Sequence, residues 1–423
     1  MLRFAPSPTG DMLVDDLRVA LFNYIVAKQK NEGLIVRIED TDKEKNIEGK
    51  DQEILDILNL FNIEYSQVIY QSQNIRFHTS MALQLLHEKK AFSCFCSDEW
   101  LKKKMDEAKE AKKPYSYDGA CENLPAELVI DNTNPFTVRI KKPLNNIIIE
   151  DYIQGEVLFK PDIIGSFVIM NRDKTPTHNF ACAIDDMLSD ISLIIRSDKH
   201  TKNTPEQVHI RASLNYDKKI EYAHLPPILD DDNISVKWLL EEGYLPEAIS
   251  NYLISTLSNP SKEVFTLKEA LKWFDLTKIE NSPNHFDIDR LRDINKKHLK
   301  NLDSKELSRY VGFADEEIGE LAKLYLEEIG TTKELRNKIK PIFSAKIIPD
   351  EFKEQSKTIS EIIKDAPYFD NYNDFKSYVM KKSGFKEENF IKTLRLLLTG
   401  SEDGPDIAKI YKCLKNYIGE IIK

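Results

Sequence analysis

Arg3-Phe4-Ala5-Pro6-Ser7-Pro8-Thr9-Gly10 reads as a strand ending in a Pro/Gly turn, and Leu17, Ala20, Leu21, Tyr24, Ile25 and Lys28 follow at helical spacing. Strand, turn and helix in this order open a nucleotide site in doubly wound α/β proteins, where phosphates meet a helix N-terminus. The intervening Asp11-Met12-Leu13-Val14-Asp15-Asp16 conflicts with that use. A phosphate-binding turn is small and neutral or basic. A carboxylate at ~4 Å from a phosphate costs roughly 1–4 kcal/mol at effective dielectrics of about 80 to 20. Aspartate is also a preferred N-cap, so Asp15 or Asp16 is expected to cap a helix over Leu17–Lys30.

Working outward, Asn31-Glu32-Gly33 ends that helix and Leu34–Glu39 reads as a second strand. Ile54–Phe61 and Met81–Lys89 read as further helices. This βαβα order predicts a parallel sheet with surrounding helices. From Phe92 to Gly165 turn residues rise and β-rich pieces appear at Phe136–Ile140 and Ile147–Tyr152, the mark of an insertion splitting the fold. Phe167–Met170, Asn179–Met187 and Ile191–Arg196 are expected to rejoin the sheet. After Asp232 the chain reads as mostly helical, with helical spacing at Trp238–Leu240, Ala248–Leu257, Leu267–Phe274 and Leu307–Val311.

A chain of 423 residues with 41% hydrophobic side chains is expected to form two to four domains with sizeable cores. No apolar run approaches a membrane span, and no secretory leader is expected. Five cysteines, three of them clustered, suit a reducing, cytoplasmic setting with a metal site better than a disulfide scaffold. A net charge of -10 argues against indiscriminate nucleic-acid binding, while local basic stretches such as Lys333–Lys346 leave room for a specific RNA surface. Such runs are also commonly solvated helix faces.

Arg3–Gly10, together with Arg37-Ile38-Glu39-Asp40-Thr41-Asp42 downstream, resembles the glutamyl-tRNA synthetases, a class I aminoacyl-tRNA synthetase family. The similarity extends to Leu394–Tyr411 and so covers nearly the whole chain. It implies a split Rossmann-like catalytic domain at 1–72 and 166–232 and an inserted acceptor-end-binding subdomain at 73–165. A helical stem-contact region at 233–300 and a helical, all-α anticodon-binding region at 301–423 would follow. It also implies a monomer that joins glutamate to tRNA of the glutamate type, the glutamine type or both. Glutamate's carboxylate attacks the α-phosphate of ATP, and the tRNA terminal hydroxyl then attacks the resulting adenylate. Magnesium would accompany the ATP.

The resemblance maps Arg3, Ser7, Glu39, His178, Cys182 and Arg196 onto the amino-acid pocket. Arg3 or Arg196 would clamp a carboxylate bidentately, and Glu39 would hold an ammonium group. The bland alternative is that these residues cap strands. His178 departs from the family, which usually has tyrosine there. An imidazole still donates, but it is shorter and titratable.

Both ATP signatures depart further. A His-Ile-Gly-His-like tetrapeptide is replaced by Leu13, Val14, Asp15 and Asp16. Leucine cannot donate to a phosphate, and Asp15 fills space that glycine leaves open. The Lys-Met-Ser-Lys-Ser-like loop is missing, because Leu225-Pro226-Pro227-Ile228-Leu229-Asp230-Asp231-Asp232 runs through Asn233-Ile234 into Ser235-Val236-Lys237-Trp238. In Arg196-Ser197-Asp198-Lys199-His200, Ser197 stands for the family glycine and Lys199 reverses a charge. Each lost electrostatic contact of this kind commonly costs roughly 2–4 kcal/mol of transition-state stabilisation.

Cys94, Cys96 and Cys121 resemble a zinc pattern of some family members, with Tyr117 at the place of a fourth ligand. The alternative is buried free thiols, which behave as small hydrophobes. Three functional readings remain: a synthetase impaired in catalysis that still binds glutamate or tRNA, an active glutamate–tRNA ligase with atypical ATP contacts, and a non-enzymatic interaction protein on the same fold.

Overall fold

Leu2–Phe4 (β1) is buried at every residue and pairs in parallel with Leu34–Ile38 (β2), itself buried throughout. β2 pairs in parallel with Gln67–Tyr70 (β3). The residues described in this computed structural model are 1–113, 115–229 and 234–422. They divide into two units, the first comprising Met1–Val236, Leu253–Ser261 and Phe265–Phe286.

The connection from β1 to β2 is the helix α1, Val14–Gln29. Its long buried face, including Leu17, Leu21, Phe22 and Ile25, covers the parallel sheet. It starts one turn earlier than the spacing predicts. The carbonyl of Leu13 accepts from Leu17 N at 3.1 Å, so Asp15 and Asp16 lie inside the first turn and neither is the N-cap.

Ala91–Cys94 (β4) and Thr137–Ile140 (β5) form an antiparallel pair. Ile147–Asp151 (β6) and Gly155–Phe159 (β7) form a hairpin. Phe167–Met170 (β8) pairs with β5 and closes the antiparallel sheet, so it does not rejoin the parallel one as expected. Asn179–Met187 is a second departure, because it lies within a helix, His178–Leu188 (α2). Its buried Phe180, Ala181, Ala183 and Ile184 form a short apolar run, which periodicity alone cannot assign to strand or helix.

Leu193–Ser197 (β9) and Glu221–Leu225 (β10) pair in parallel, and β10 also pairs with β6. Ser192 N donates to Met1 O at 2.9 Å, which sets β9 beside β1. The fold is thus the α/β, parallel-sheet class expected from the sequence, although its inserted hairpin joins the main layer. The helices expected after Asp232 are interrupted at Asn284–His285 (β12), which pairs in parallel with Ile228–Leu229 (β11). The expected domain limit at Asp232 lies outside the described residues.

The second unit comprises Lys237–Tyr252, Lys262–Val264 and Asp287–Lys423, and its described residues carry helices and turns. Ser304–Tyr310 (α3) and Glu316–Lys323 (α4) approach closely at Gly319, where an added Cβ would lie 1.7 Å from the Ser304 carbonyl oxygen. The basic stretch Lys333–Lys346 is partly consumed inside this unit. Lys333 pairs with Glu242, Arg336 donates to Tyr310 O, and Lys346 donates to the carbonyls of Ile342 and Ile421. Lys338 and Lys340 remain exposed.

Candidate active site

Arg3, Asp16, Glu39, His178, Cys182 and Arg196 line one cavity of about 80 Å3 in the first unit, together with Lys199 and His200. Glu39 follows the end of β2 and is fixed by its backbone N–H on Pro6 O at 2.9 Å. His178 and Cys182 stand four residues apart in α2 and therefore share a face. His178 Nε2 lies 2.9 Å from Glu39 Oε2, and Cys182 Sγ donates to Glu39 Oε1 at 3.1 Å. Cys182 Sγ is 3.4 Å from His178 Nε2. Burial disfavours charge on Glu39, but its hydrogen bond to His178 and the charges of His178 and Arg37 hold the carboxyl well below the usual range. Cys182 and Glu39 together raise His178 to about 11 against the pull of burial.

Arg37 and Asp186 back this cluster. Arg37 donates to Asp186 Oδ1 at 2.6 Å and to Glu39 Oε1 at 3.2 Å, and Arg3 Nε reaches the same Asp186 oxygen at 3.3 Å. A buried carboxylate thus bridges two buried guanidinium groups, as buried charges require. Of the expected pocket residues, Ser7 is not brought in. The Pro6–Pro8 turn is tied by Glu39 N and Ile47 N, leaving Ser7 exposed and outside the cavity lining.

Arg196 reaches the cavity from β9 but is heavily engaged behind it. It donates from Nε to His224 Nε2 at 3.2 Å, from Nη1 to Gln207 at 3.0 Å and from Nη2 to Thr204 Oγ1 at 2.6 Å. His224 Nδ1 lies 2.6 Å from Asp151 Oδ2. With the proton on Nδ1 directed at the carboxylate, Nε2 is free to accept from Arg196. Burial, with Arg3 nearby, lowers Arg196 to about 10.

Two backbone N–H groups at the start of α1 are taken from within. Val14 N donates to Ile234 O at 3.2 Å, Leu13 N to Asp16 Oδ2 at 3.4 Å, and Leu13 bridges Ser235 in antiparallel fashion. Asp15 pairs with the fully buried Arg18 at 2.7 Å, and Arg18 also donates to Pro226 O. Asp16 faces Lys199 at 3.8 Å. Burial raises the Asp16 carboxyl above its ordinary range, Lys199 opposes the rise and Asp15 adds to it. The charge reversal at Lys199 thus answers the carboxylate at Asp16. Asp230–Asn233, where the lysine loop would be missing, lie outside the described residues.

A second cluster lies in the inserted region. The sulfurs of Cys94, Cys96 and Cys121 lie within 4.8 Å of one another, with Cys96 and Cys121 at 3.5 Å. The Tyr117 hydroxyl is 3.5 Å from Cys94 Sγ and 3.3 Å from Cys96 Sγ, and it accepts from Cys121 N. Arg139 Nε donates to Cys94 Sγ at 3.3 Å, and its guanidinium carbon lies 4.2 Å from the Tyr117 ring centroid. Three soft donors and a phenol converging this closely form a set that suits zinc.

Asp186, Asp151, His224 and Thr204 carry no sequence signature of a site, and Arg37 stands in the quoted block Arg37–Asp42 without an assigned role. A faint signal existed for two of them: Arg37 interrupts the apolar run Leu34–Ile38, and Asp186 sits on the buried side of an apolar helix.

The chain matches the family model "tRNA synthetases class I (E and Q), catalytic domain" over residues 1–293. It is 64% identical over 432 aligned positions to a protein named glutamate–tRNA ligase 2 from Sulfurimonas denitrificans, with all of both chains covered. It is 50% identical to glutamate–tRNA ligase 1 of a Nitratiruptor species, again over the whole of both chains. Among solved structures, a glutamate tRNA ligase from Elizabethkingia meningosepticum, crystallised with its amino acid, superimposes with a TM-score of 0.81 at 23% identity. That match covers 100% of this chain and 98% of the other, and it bears on the fold.

Proposed function

The chain belongs to the class I tRNA synthetases for glutamate and glutamine, and from that premise we propose that it binds glutamate and tRNA but is impaired in activating glutamate with ATP. The family reaction is ATP-dependent ligation of glutamate to tRNA. Its first step needs phosphate charge to be met by donors that are already in place.

The observation that carries the impairment is the acidic, partly bonded start of α1. A helix N-terminus attracts anions through its free N–H groups and its dipole. Here the N–H of Leu13 is taken by Asp16 and that of Val14 by Ile234, while Asp15 and Asp16 place two carboxyl groups in the same turn. An entering triphosphate would have to break these bonds and face those charges. The alignment to the Sulfurimonas relative runs over 432 positions against 423 residues here, leaving nine that the relative fills and this chain skips. A missing lysine loop would account for a shortfall of that size.

The glutamate side is better preserved. Arg3, Glu39, His178, Cys182 and Arg196 share the cavity, and none of them depends on the lost ATP elements. Arg3 is the more available clamp for a carboxylate, since each nitrogen of Arg196 already donates within the fold. Cys94, Cys96 and Cys121, with Tyr117, would hold zinc, which would cross-link the start of the insertion to its following loop. Binding of tRNA for glutamate or glutamine, a monomeric state, a cytoplasmic location and the four regions named from the sequence belong to the same proposal. No described helix is long and apolar enough to cross a membrane.

The names of the relatives favour the competing reading, an active ligase with atypical ATP contacts. Glutamate-dependent ATP–pyrophosphate exchange, with and without tRNA, separates the two. The impaired reading expects no exchange above background, alongside measurable glutamate or tRNA binding. Exchange at the rate of an ordinary synthetase would overturn it.

A further inference from the structure

Glu39, His178 and Cys182 present a carboxylate, an imidazole and a thiol whose donor atoms lie within 4.8 Å of one another on the wall of a cavity. We propose that these three side chains form a second transition-metal site, best suited to zinc, with its remaining coordination position open to the cavity.

The donor distances fit with little adjustment. His178 Nε2 lies 2.9 Å from Glu39 Oε2, Cys182 Sγ lies 3.1 Å from Glu39 Oε1 and 3.4 Å from His178 Nε2, and one donor atom from each residue lies within 4.8 Å of the other two. Zinc–sulfur bonds of about 2.3 Å and zinc–nitrogen or zinc–oxygen bonds of about 2.0–2.2 Å in a tetrahedron separate donors by roughly 3.3–3.7 Å. A turn of the Glu39 carboxylate that presents one oxygen to both partners, with a spread of a few tenths of an ångström, therefore admits the ion. The ligands come from rigid elements: two are one helical turn apart on α2 and the third follows β2. Arg37 Nη2, 3.2 Å from Glu39 Oε1, orients the carboxylate, and Gln71 Nε2 approaches Cys182 Sγ at 3.9 Å.

Electrostatics select the metal. Arg3, Arg37, Arg196 and Lys199 bring positive charge to or beside the cavity, which disfavours a hard cation held by charge alone. A soft ion bound through a thiolate and an imidazole, with the thiolate and Glu39 balancing its two charges, is less affected. Zinc binds a deprotonated thiol and a neutral imidazole, so its entry releases protons and binding strengthens as pH rises. The proposal rests on geometry and uses side chains assigned above to glutamate, so a bound metal and the glutamate ammonium group would compete for Glu39.

The test is metal content of the full-length protein, stripped with a chelator and reloaded with Zn2+. The unaltered protein is expected to hold two equivalents, His178→Tyr and Cys182→Ser one each, and Cys96→Ser one. Unchanged content in both His178→Tyr and Cys182→Ser, or none left in Cys96→Ser, would overturn the proposal. The second of these results would leave the cysteine cluster standing. Cobalt loading supplies a measurement that does not depend on how the His178 variant folds. Cys96→Ser with one equivalent of Co2+ should show a thiolate-to-cobalt absorption band that vanishes when Cys182→Ser is added. Absence of that band in Cys96→Ser also overturns the proposal.

Discussion

Arg196 is held by residues that a sequence does not place near it. Asp151, Thr204 and Gln207 are drawn together around its guanidinium group and the His224 ring. Burial lowers His224 below its ordinary value of 6.5, Asp151 resists this and Arg196 adds to it. A histidine lowered in the fold opposes protonation, so its contribution to stability is present above pH 6.5 and is lost as pH falls below that value. Asp151 is also lowered from 3.8, and its contribution is lost at still lower pH. Urea unfolding at pH 7 and pH 5 should therefore show a loss of stability in the unaltered protein that His224→Asn reduces. At pH 7 the same substitution should cost about 1–3 kcal/mol, the usual consequence of leaving a buried hydrogen-bonding group unpaired. An equal acid dependence in both proteins would refute the assignment to His224.

At the scale of elements, the first turn of α1 couples stability to the proposed loss of phosphate chemistry. Asp15 is the carboxylate that meets the fully buried Arg18, so it supports the helix while opposing a nucleotide. Returning the family residues by Leu13→His and Asp15→Gly is expected to destabilise the protein by about 1–3 kcal/mol. Arg18 would lose its ion pair with Asp15, and glycine would weaken the helix. Pyrophosphate exchange should stay at background in that variant, because the lysines of the missing loop are not restored. Denaturant melts and the exchange assay on one preparation check both halves of this prediction.

The crossing of α3 and α4 gives a cleaner packing test. An alanine at 319 would place its Cβ 1.7 Å from Ser304 O, so the helices must separate. Overpacking of this kind typically costs about 1–3 kcal/mol. Gly319→Ala should lower the midpoint of thermal unfolding, and an unchanged midpoint would mean that the helices do not approach so closely.

For the whole molecule, two contact units make a single two-state transition unexpected. Both thiol-containing clusters proposed as metal sites, Cys94–Cys96–Cys121 and Glu39–His178–Cys182, lie in the unit that begins at Met1. Metal bound only by the folded state stabilises that state by mass action. Scanning calorimetry of the zinc-loaded protein is expected to show two transitions, of which chelation lowers one. A single transition, or equal shifts in both, would contradict this.

The sequence by itself determined the parallel α/β opening, the family, the helical character of the C-terminal half and the departure of both ATP signatures from the family pattern. These are written in local patterns: a strand and turn at Arg3–Gly10, helical spacing after it, and carboxylates where phosphate donors belong. Tertiary structure alone decided that α1 begins at Val14, that Phe167–Met170 closes the antiparallel sheet and that Asn179–Met187 is helical. It also decided which polar side chains meet. Glu39 lies 139 residues from His178, and Arg37 lies 149 from Asp186. Periodicity reports which face of an element is buried, whereas a buried charge is stabilised by whichever partner the fold carries to it. That pairing exists only once β2 and α2 are packed together.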